Sequence, residues 1–223
     1  MTGERVALVL DFDGTATPAD VGGALIERFA RDESWRVIDN DFENGRIGSR
    51  MAYRLLEDLL GGTPEEWERH ALETFAVDAG LGELRRLAES RGWLLEILSD
   101  GLGYYIRALL GRAGLRLPLR TNELVAGDGA EGSRLRIVTP HLNPRCGRCG
   151  TCKSERVEAL AADGWRVVYV GDGYSDLCAA PRAHRLFAKS VLASHCRERG
   201  IPFEPFDNLG DVAVALLGNR AGT

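Results

Sequence analysis

The sequence lacks the features of a membrane protein, an exported protein or a nucleic-acid binder. It has no apolar run of about eighteen residues, so no transmembrane helix is expected. The opening stretch "MTGERVALVLD" contains too short an apolar run for a signal peptide. Positive charge is not in excess, because the formal net charge is -5, and a general nucleic-acid binder needs a basic face. We therefore expect neither a membrane nor a nucleic-acid partner.

Cysteine is scarce, and the count of five is odd. Without an export signal, this pattern predicts a cytoplasmic protein whose thiols are free or bound to metal. Three of the cysteines lie close together, at Cys146, Cys149 and Cys152, and His141 precedes them. Three thiolates and an imidazole are a ligand set for structural Zn²⁺, but zinc ribbons usually take two ligands from a separate segment. We favour reduced thiols over a zinc site.

Apolar runs of strand length alternate with helical patterns, and this alternation predicts the fold. The composition, 44% hydrophobic and 27% charged residues, is that of a globular protein. Strands separated by helices are typical of a doubly wound, Rossmann-like parallel sheet of the α/β class. Strands buried on both faces read as continuous apolar runs. Such runs occur at 6–10, 93–98, 165–170 and, more weakly, 185–188.

One long segment, 18–79, contains no strand-like run. Its amphipathic patterns predict an all-helical insert, and Thr63 followed by a proline is a helix start signal. Residues 1–17 and 80–223 are predicted to form the Rossmann-like core, with 18–79 as a helical cap. A glycine-rich stretch, "AGDGAEGS", lies between two short apolar runs within 119–142 and predicts a small β-hairpin.

Two acids follow the first predicted strand directly, at Asp11 and Asp13. Alternate residues of a strand share a side, so both can face one site at the carboxyl edge of the sheet. The loop after the strand at 165–170 brings a third acid, Asp172. Close carboxylates repel one another and prefer a hard cation such as Mg²⁺. The sequence therefore predicts a magnesium site that leaves Asp11 ionised as a nucleophile.

Further polar residues occur at the same predicted edge. Ser99, Asp100 and Gly101 follow the second strand, and Lys153 begins a later helical segment. A hydroxyl, a lysine and backbone N–H groups flanked by glycine are suited to a phosphoryl group, whose charge rises during transfer. The pattern favours phosphoryl transfer over carbon–halogen chemistry.

The motifs "DFDGT", Ser99, a later lysine and "GDGYSD", in this order, resemble the haloacid dehalogenase-like phosphohydrolase superfamily. Within it, the helical insert, "CGTCK" and the C-terminal tail are similar to the 2-hydroxy-3-keto-5-methylthiopentenyl-1-phosphate phosphatases of methionine salvage. The resemblance implies that Asp11 becomes an aspartyl-phosphate and that Asp13 acts as general acid and base. It also implies that Asp11, the Asp13 carbonyl and Asp172 hold Mg²⁺, that Asp176 supports them, and that Ser99, Asp100, Gly101 and Lys153 hold the phosphate.

The expected partner is a small phosphorylated metabolite, and the protein is expected to be a monomer or homodimer. Candidate substrate contacts are Asp20, for which a helix N-cap is the alternative, and two cap arginines, Arg50 and Arg54, for which a solvated helix face is the alternative. A phosphoserine phosphatase is the second functional hypothesis. A non-catalytic phosphate-binding protein is a third, although such a protein is expected to lack one of the two acids that are present here.

Overall fold

The computed structural model describes residues 4–127 and 134–218. The strands of this part of the chain form a mostly parallel sheet in the order β4-β3-β2-β1-β5-β6-β7. This arrangement confirms the predicted α/β fold. The strands are β1 (Val6–Leu10), β2 (Leu94–Leu102), β3 (Leu119–Gly127), β4 (Arg134–Val138), β5 (Arg166–Gly171), β6 (Arg185–Ala188) and β7 (Glu204–Pro205).

Helices follow or separate these strands, and their ends carry ordinary stop and start signals. Gly92, in the left-handed conformation, caps α5, as its place at the end of the amphipathic pattern predicts. Thr63 and Glu66 form a capping box at the start of α4. The helices are α1 (Val21–Phe29), α2 (Trp35–Glu43), α3 (Ser49–Leu56), α4 (Pro64–Thr74), α5 (Gly80–Arg91), α6 (Gly103–Arg112), α7 (Lys153–Ala162), α8 (Ser190–Arg199) and α9 (Leu209–Gly218).

The described residues group into two compact units. The core unit draws on Met1–Ala19, Val77–Leu98 and Lys153–Thr223, and the second unit on Asp20–Ala76 and Ser99–Cys152. The predicted cap segment thus lies almost wholly in the second unit, together with the end of β2, α6, β3 and β4. The division into a core and a cap of 18–79 stays a prediction.

In the core unit, β1 lies between β2 and β5 and is parallel to both. All five of its residues are buried, which explains its unbroken apolar sequence. Side chains of α7 and α8, including Val157 and Leu192, pack with Val9 of β1 in one hydrophobic cluster. This packing fixes the end of β1, and with it the position of Asp11.

In the second unit, β3 and β4 pair antiparallel, so the predicted hairpin is confirmed. The residues that join them, 128–133, lie outside the described residues. β2 continues to Leu102, whereas the sequence predicts a strand ending at residue 98, so Ser99–Gly101 lie inside the strand assignment. None of the helices in the described ranges is both long and apolar enough to cross a membrane.

Candidate active site

Asp11 stands directly beyond β1 and is almost completely buried. Its backbone N–H donates to the carbonyl of Val170 on β5 at 2.9 Å, which continues the pairing between the two parallel strands. The carboxylate is therefore held at the carboxyl edge of the sheet, where ligands bind in open α/β sheets. Asp13 follows in the loop and is half-buried.

Lys153, the first residue of α7, is the cation of this site. Its Nζ lies 2.7 Å from Asp11 Oδ1 and donates to Asp176 Oδ1 and Ser175 Oγ, each at 2.7 Å. Burial acts to lower the pKa of Lys153, but the charges of Asp11 and Asp176 outweigh burial, so the pKa is raised above its ordinary value. Lys153 is therefore a permanent ammonium group.

Asp176 connects the residues of this site, because each of its two carboxylate oxygens accepts two hydrogen bonds. Oδ1 accepts from Lys153 Nζ at 2.7 Å and from the Tyr169 hydroxyl at 2.6 Å. Oδ2 accepts the backbone N–H groups of Asp172 and Gly173, both at 3.0 Å. These four bonds leave Asp176 suited to hold its neighbours in place and not to bind a ligand directly.

Tyr169 is a site residue that the sequence analysis missed. It lies in the apolar strand β5 and is fully buried, and its hydroxyl donates to Asp176. The available signal is general: a tyrosine inside a strand buried on both faces needs a partner for its hydroxyl. The identity of that partner cannot be read from the strand pattern.

The site holds more negative than positive charge. Oxygens of Asp11, Asp172 and Asp176 all lie within 4.8 Å of one another, with Lys153 as their ammonium partner. Burial, followed by the charge of Asp176, raises the pKa of Asp11 well above its ordinary value. Burial and Asp176 also raise the pKa of Asp172 to about 6, against a hydrogen bond from Thr15 that lowers it. One more cation would relieve this repulsion.

The donor set fits a hard divalent cation. Carboxylate oxygens are the ligands that Mg²⁺ prefers, and it needs only one or two of them from the protein. Because Asp176 is saturated by four donors, Asp11 and Asp172 are the carboxylates that would bind the ion. The supporting role of Asp176 stays a prediction.

A pH dependence of metal binding follows from Asp172. Because the pKa of its carboxyl group is about 6, the group holds a proton below that pH, and a metal ion must displace it. We expect the Mg²⁺ affinity, measured by titration calorimetry, to fall as the pH drops below 6, by about tenfold per pH unit from Asp172 and more steeply where the proton of Asp11, whose pKa is also raised, must be displaced. Affinity that is independent of pH between 5 and 7 would contradict the raised pKa.

The metal-free protein should show the opposite trend in stability. The folded state retains the proton of Asp172 up to about pH 6, whereas the unfolded chain loses it near 3.8, the ordinary value. The contribution of this group to the free energy of unfolding is therefore full below about pH 4 and is lost as the pH rises through 6. Urea titrations with and without Mg²⁺, and with Asp172→Asn as the control, would measure both trends.

Gly14 makes room for Asp172. Its backbone has a positive φ of 73°, and a Cβ atom there would lie 2.3 Å from Asp172 Oδ2. A matched control exists in Gly164, which has a φ of 81° and no atom within 4 Å of the Cβ position. We expect alanine at either position to cost about 1–2 kcal/mol of stability from backbone strain.

Only Gly14→Ala should also weaken Mg²⁺ binding, by roughly tenfold or more, since it displaces the Asp172 carboxylate. Calorimetric titration of both variants separates the two effects. Equal Mg²⁺ affinities for Gly14→Ala and Gly164→Ala would show that the close approach to Asp172 does not matter.

Three of the predicted phosphate-binding residues, Ser99, Asp100 and Gly101, belong to the second unit. Ser99 is buried, and its Oγ accepts the N–H of Gly101 at 3.0 Å. The carboxylate of Asp100 accepts from Asn122 Nδ2 at 2.9 Å and from the backbone N–H of Thr151 at 2.8 Å. Their role in holding phosphate stays a prediction.

The predicted substrate contacts have separate positions in the second unit. Asp20 is exposed and caps α1, where its Oδ1 accepts the N–H of Gly23 at 2.8 Å, so the N-cap interpretation is confirmed. Arg50 and Arg54 lie on α3, the first half-buried and the second exposed. Substrate contacts by these three residues stay predictions.

The cysteine cluster gains no support as a zinc site. None of the five cysteines, all of which lie in the described ranges, forms a disulfide bond. Cys146 is exposed, Cys149 half-buried and Cys152 buried, and the N–H of Cys152 donates to the carbonyl of His141 at 2.9 Å. Within 4–127 and 134–218, the acidic trio is the group whose ligand atoms are close enough to share an ion. Among the described residues, the ligand atoms of His141, Cys146, Cys149 and Cys152 do not form such a group.

Comparisons with known proteins identify the family of the chain. The model of the haloacid dehalogenase-like hydrolase family matches residues 8–181, which contain Asp11, Lys153 and Asp176. The chain therefore belongs to the haloacid dehalogenase-like hydrolase family. This membership confirms the class of enzyme that the motif order predicts.

Curated relatives resemble the chain over nearly its whole length. A 2-hydroxy-3-keto-5-methylthiopentenyl-1-phosphate phosphatase of Geobacillus kaustophilus is 33% identical over 220 residues, 96% of each chain. One from Exiguobacterium sibiricum is 27% identical over 95% of this chain and 96% of its own. A substrate-bound phosphoserine phosphatase structure superposes with a TM-score of 0.69 at 18% identity, covering 95% of this chain and 98% of the other. The last match shows the fold alone.

Proposed function

We propose that the protein is a Mg²⁺-dependent phosphatase that hydrolyses a small phosphorylated metabolite through an aspartyl-phosphate on Asp11. The observation that carries this proposal is the contact of a buried carboxylate with Lys153 at 2.7 Å, beside Asp172. Phosphoryl transfer needs a nucleophile and positive charge that stabilises the transferred group. Asp11 supplies the nucleophile, Lys153 supplies a fixed cation, and Asp172 is a second carboxylate that can bind a metal ion together with Asp11.

Asp11 acts first in the proposed reaction. One of its carboxylate oxygens attacks phosphorus, the bond between phosphorus and the ester oxygen breaks, and the leaving oxygen takes a proton from Asp13. Asp13 then accepts a proton from water as that water attacks the aspartyl-phosphate, which releases inorganic phosphate and regenerates the Asp11 carboxylate. Lys153 stabilises the charge on the transferred group.

The metal would be held by Asp11, Asp172 and the backbone carbonyl of Asp13. When bound, Mg²⁺ supplies positive charge that offsets the carboxylate repulsion and the charge of the phosphoryl group. Asp176 orients this set through its bonds to Lys153 and to the backbone N–H of Asp172. Ser99 and Gly101 are proposed to complete the phosphate site.

For the substrate we propose the 2-hydroxy-3-keto-5-methylthiopentenyl phosphate named in the curated relatives. The match to these relatives over 96% of the chain supports this choice, since it includes the cap segment that would contact substrate. Phosphoserine is the second candidate, because the chain shares its fold with a phosphoserine phosphatase, although fold alone does not select a substrate. A cytoplasmic location and a monomeric or homodimeric state stay predictions.

Side-by-side assays test the proposal. Purified protein with Mg²⁺ is given the enol phosphate, phosphoserine and a set of other metabolite phosphates, and released phosphate is measured with Asp11→Asn as the control. We expect the highest kcat/KM for the enol phosphate. A preference for phosphoserine would establish the second candidate. Ligand binding without Asp11-dependent release from any compound would support the non-catalytic alternative.

A further inference from the structure

Two buried polar side chains of the second unit, Asp100 and Asn122, connect two separate stretches of chain. Asn122 is fully buried, and its Nδ2 donates to the carbonyl oxygen of Asp100 at 2.6 Å and to Asp100 Oδ1 at 2.9 Å. The same Oδ1 accepts the backbone N–H of Thr151 at 2.8 Å. Asp100 thus links the predicted phosphate-binding segment Ser99–Gly101 to the stretch that immediately precedes Lys153.

Asn122 contacts that second stretch directly as well. Its Oδ1 accepts the hydroxyl of Thr151 at 3.3 Å. At Gly150, a Cβ atom would lie 2.7 Å from the same oxygen, so the backbone there passes against the amide. The N–H of Gly150 donates to Ser49 Oγ at 3.0 Å. Side chains from three parts of the second unit therefore hold residues 150 and 151, which lie three and two places before Lys153.

The bonds to the carbonyl of Asp100 also orient the next amide. This carbonyl accepts from Asn122 Nδ2 and from the hydroxyl of Tyr53. A peptide unit is planar and trans, so its N–H points opposite to its C=O. Fixing the carbonyl of Asp100 with two donors therefore fixes the direction of the Gly101 N–H, which in this structure donates to Ser99 Oγ at 3.0 Å. Ser99 and Gly101 are the two groups of this segment assigned above to phosphate.

We propose that Asn122 is a positioning residue of the phosphate site. Through Asp100 and Thr151 it orients the Gly101 amide and the chain that leads into Lys153. On this proposal, Asp100 serves as the acceptor for Asn122 and Thr151, and its carboxylate does not contact phosphate, which as an anion would be repelled by it. The inference rests on the proposed phosphatase function but concerns residues that contact neither the substrate nor the metal.

The variant Asn122→Asp tests this proposal. It keeps the size of the side chain but removes both N–H donors and sets a second carboxylate against Asp100. We expect kcat/KM for p-nitrophenyl phosphate to fall by about tenfold or more and inhibition by inorganic phosphate to weaken by at least about fivefold. The control is Asn44→Asp, an exposed asparagine that also donates to a backbone carbonyl, and both values should stay unchanged.

Measurements on folded protein separate positioning from general stability. Circular dichroism and urea unfolding first establish that Asn122→Asp is folded under the assay conditions, as Asn44→Asp is expected to be. A loss confined to stability, with kcat/KM and phosphate inhibition unchanged in the folded Asn122→Asp protein, would overturn the proposal.

Two further measurements keep the test decisive. If Asn122→Asp does not fold, Tyr53→Phe removes one donor to the same carbonyl, and phosphate inhibition should weaken by about fivefold. No change in that variant overturns the proposal. Direct binding of inorganic phosphate by calorimetry requires no turnover. If wild-type protein binds phosphate but shows no Asp11-dependent release, the proposed function fails while the effect of Asn122 on binding can still be judged.

Discussion

Replacing Asp11 by asparagine is expected to lower phosphate release by at least about a thousandfold, because an amide cannot form the acyl phosphate that the proposed reaction requires. The side chain is almost completely buried and Lys153 lies 2.7 Å from it, so no other carboxylate can take its place without a rearrangement of the cluster. Initial rates on the enol phosphate at saturating Mg²⁺ would measure the effect.

Loss of activity in Asp11→Asn must be separated from loss of structure. The pKa of Asp11 is raised by burial and by Asp176, so a neutral side chain at this position should leave stability unchanged or increase it at neutral pH without metal. Asp163→Asn, an exposed position after α7, is the control and should retain full activity. Activity within about tenfold of wild type in Asp11→Asn would exclude Asp11 as the nucleophile. Mass spectrometry of an acid-quenched wild-type reaction should find the phosphate on the peptide that contains Asp11.

Replacing Lys153 by methionine should have the largest effect on stability. Methionine has a similar length but no charge, so Asp11 and Asp176 would stay buried without their ammonium partner. Breaking a buried ion pair by removing one partner typically costs about 3–5 kcal/mol. We expect a loss of this size in the free energy of unfolding at pH 7 without metal, measured with urea, and a strongly weakened inhibition by phosphate.

The other lysine of the sequence, Lys189, provides the control. It is only half-buried: its Nζ donates to the carbonyl of Asp207 at 3.3 Å and lies 4.9 Å from the centre of the Phe206 ring. Its charge acts on Asp172 but it makes no ion pair with Asp11 or Asp176, so Lys189→Met should cost less than about 1 kcal/mol. The loss in Lys153→Met should shrink at lower pH, since protonation of Asp11, whose pKa is raised, removes the repulsion. A Lys153→Met protein as stable as Lys189→Met at pH 7 would show that the buried carboxylates need no cation.

Local signals in the sequence were sufficient for most of the secondary structure. The unbroken apolar run of β1 predicts a strand buried on both faces, and Thr63 with its proline predicts the start of α4. These features depend on neighbouring residues and can be read from periodicity and capping. The apolar pattern predicts an end of β2 at residue 98, because Ser99–Gly101 interrupt it, whereas the strand continues to Leu102.

The association of segments that lie far apart in the chain could not be predicted from the sequence. The second unit combines Asp20–Ala76 with Ser99–Cys152, two segments separated along the chain. No periodicity connects them, since their association depends on contacts such as the bond from Gly150 to Ser49, 101 positions apart. Asn122 could not be predicted for the same reason. It is a single asparagine inside a strand pattern, and its partners Asp100 and Thr151 come from other parts of the chain.

By itself, the sequence determined which chemical groups are available and in what order: two acids after a buried strand, a lysine at a helix start and "GDGYSD" after another strand. Only the tertiary structure decided how the groups divide their roles. It saturates Asp176 with four donors, sets Lys153 against Asp11, and raises the pKa of Asp172 to about 6. The physical reason is that charge interactions and burial depend on distances between residues far apart in the chain, which the folded packing alone establishes.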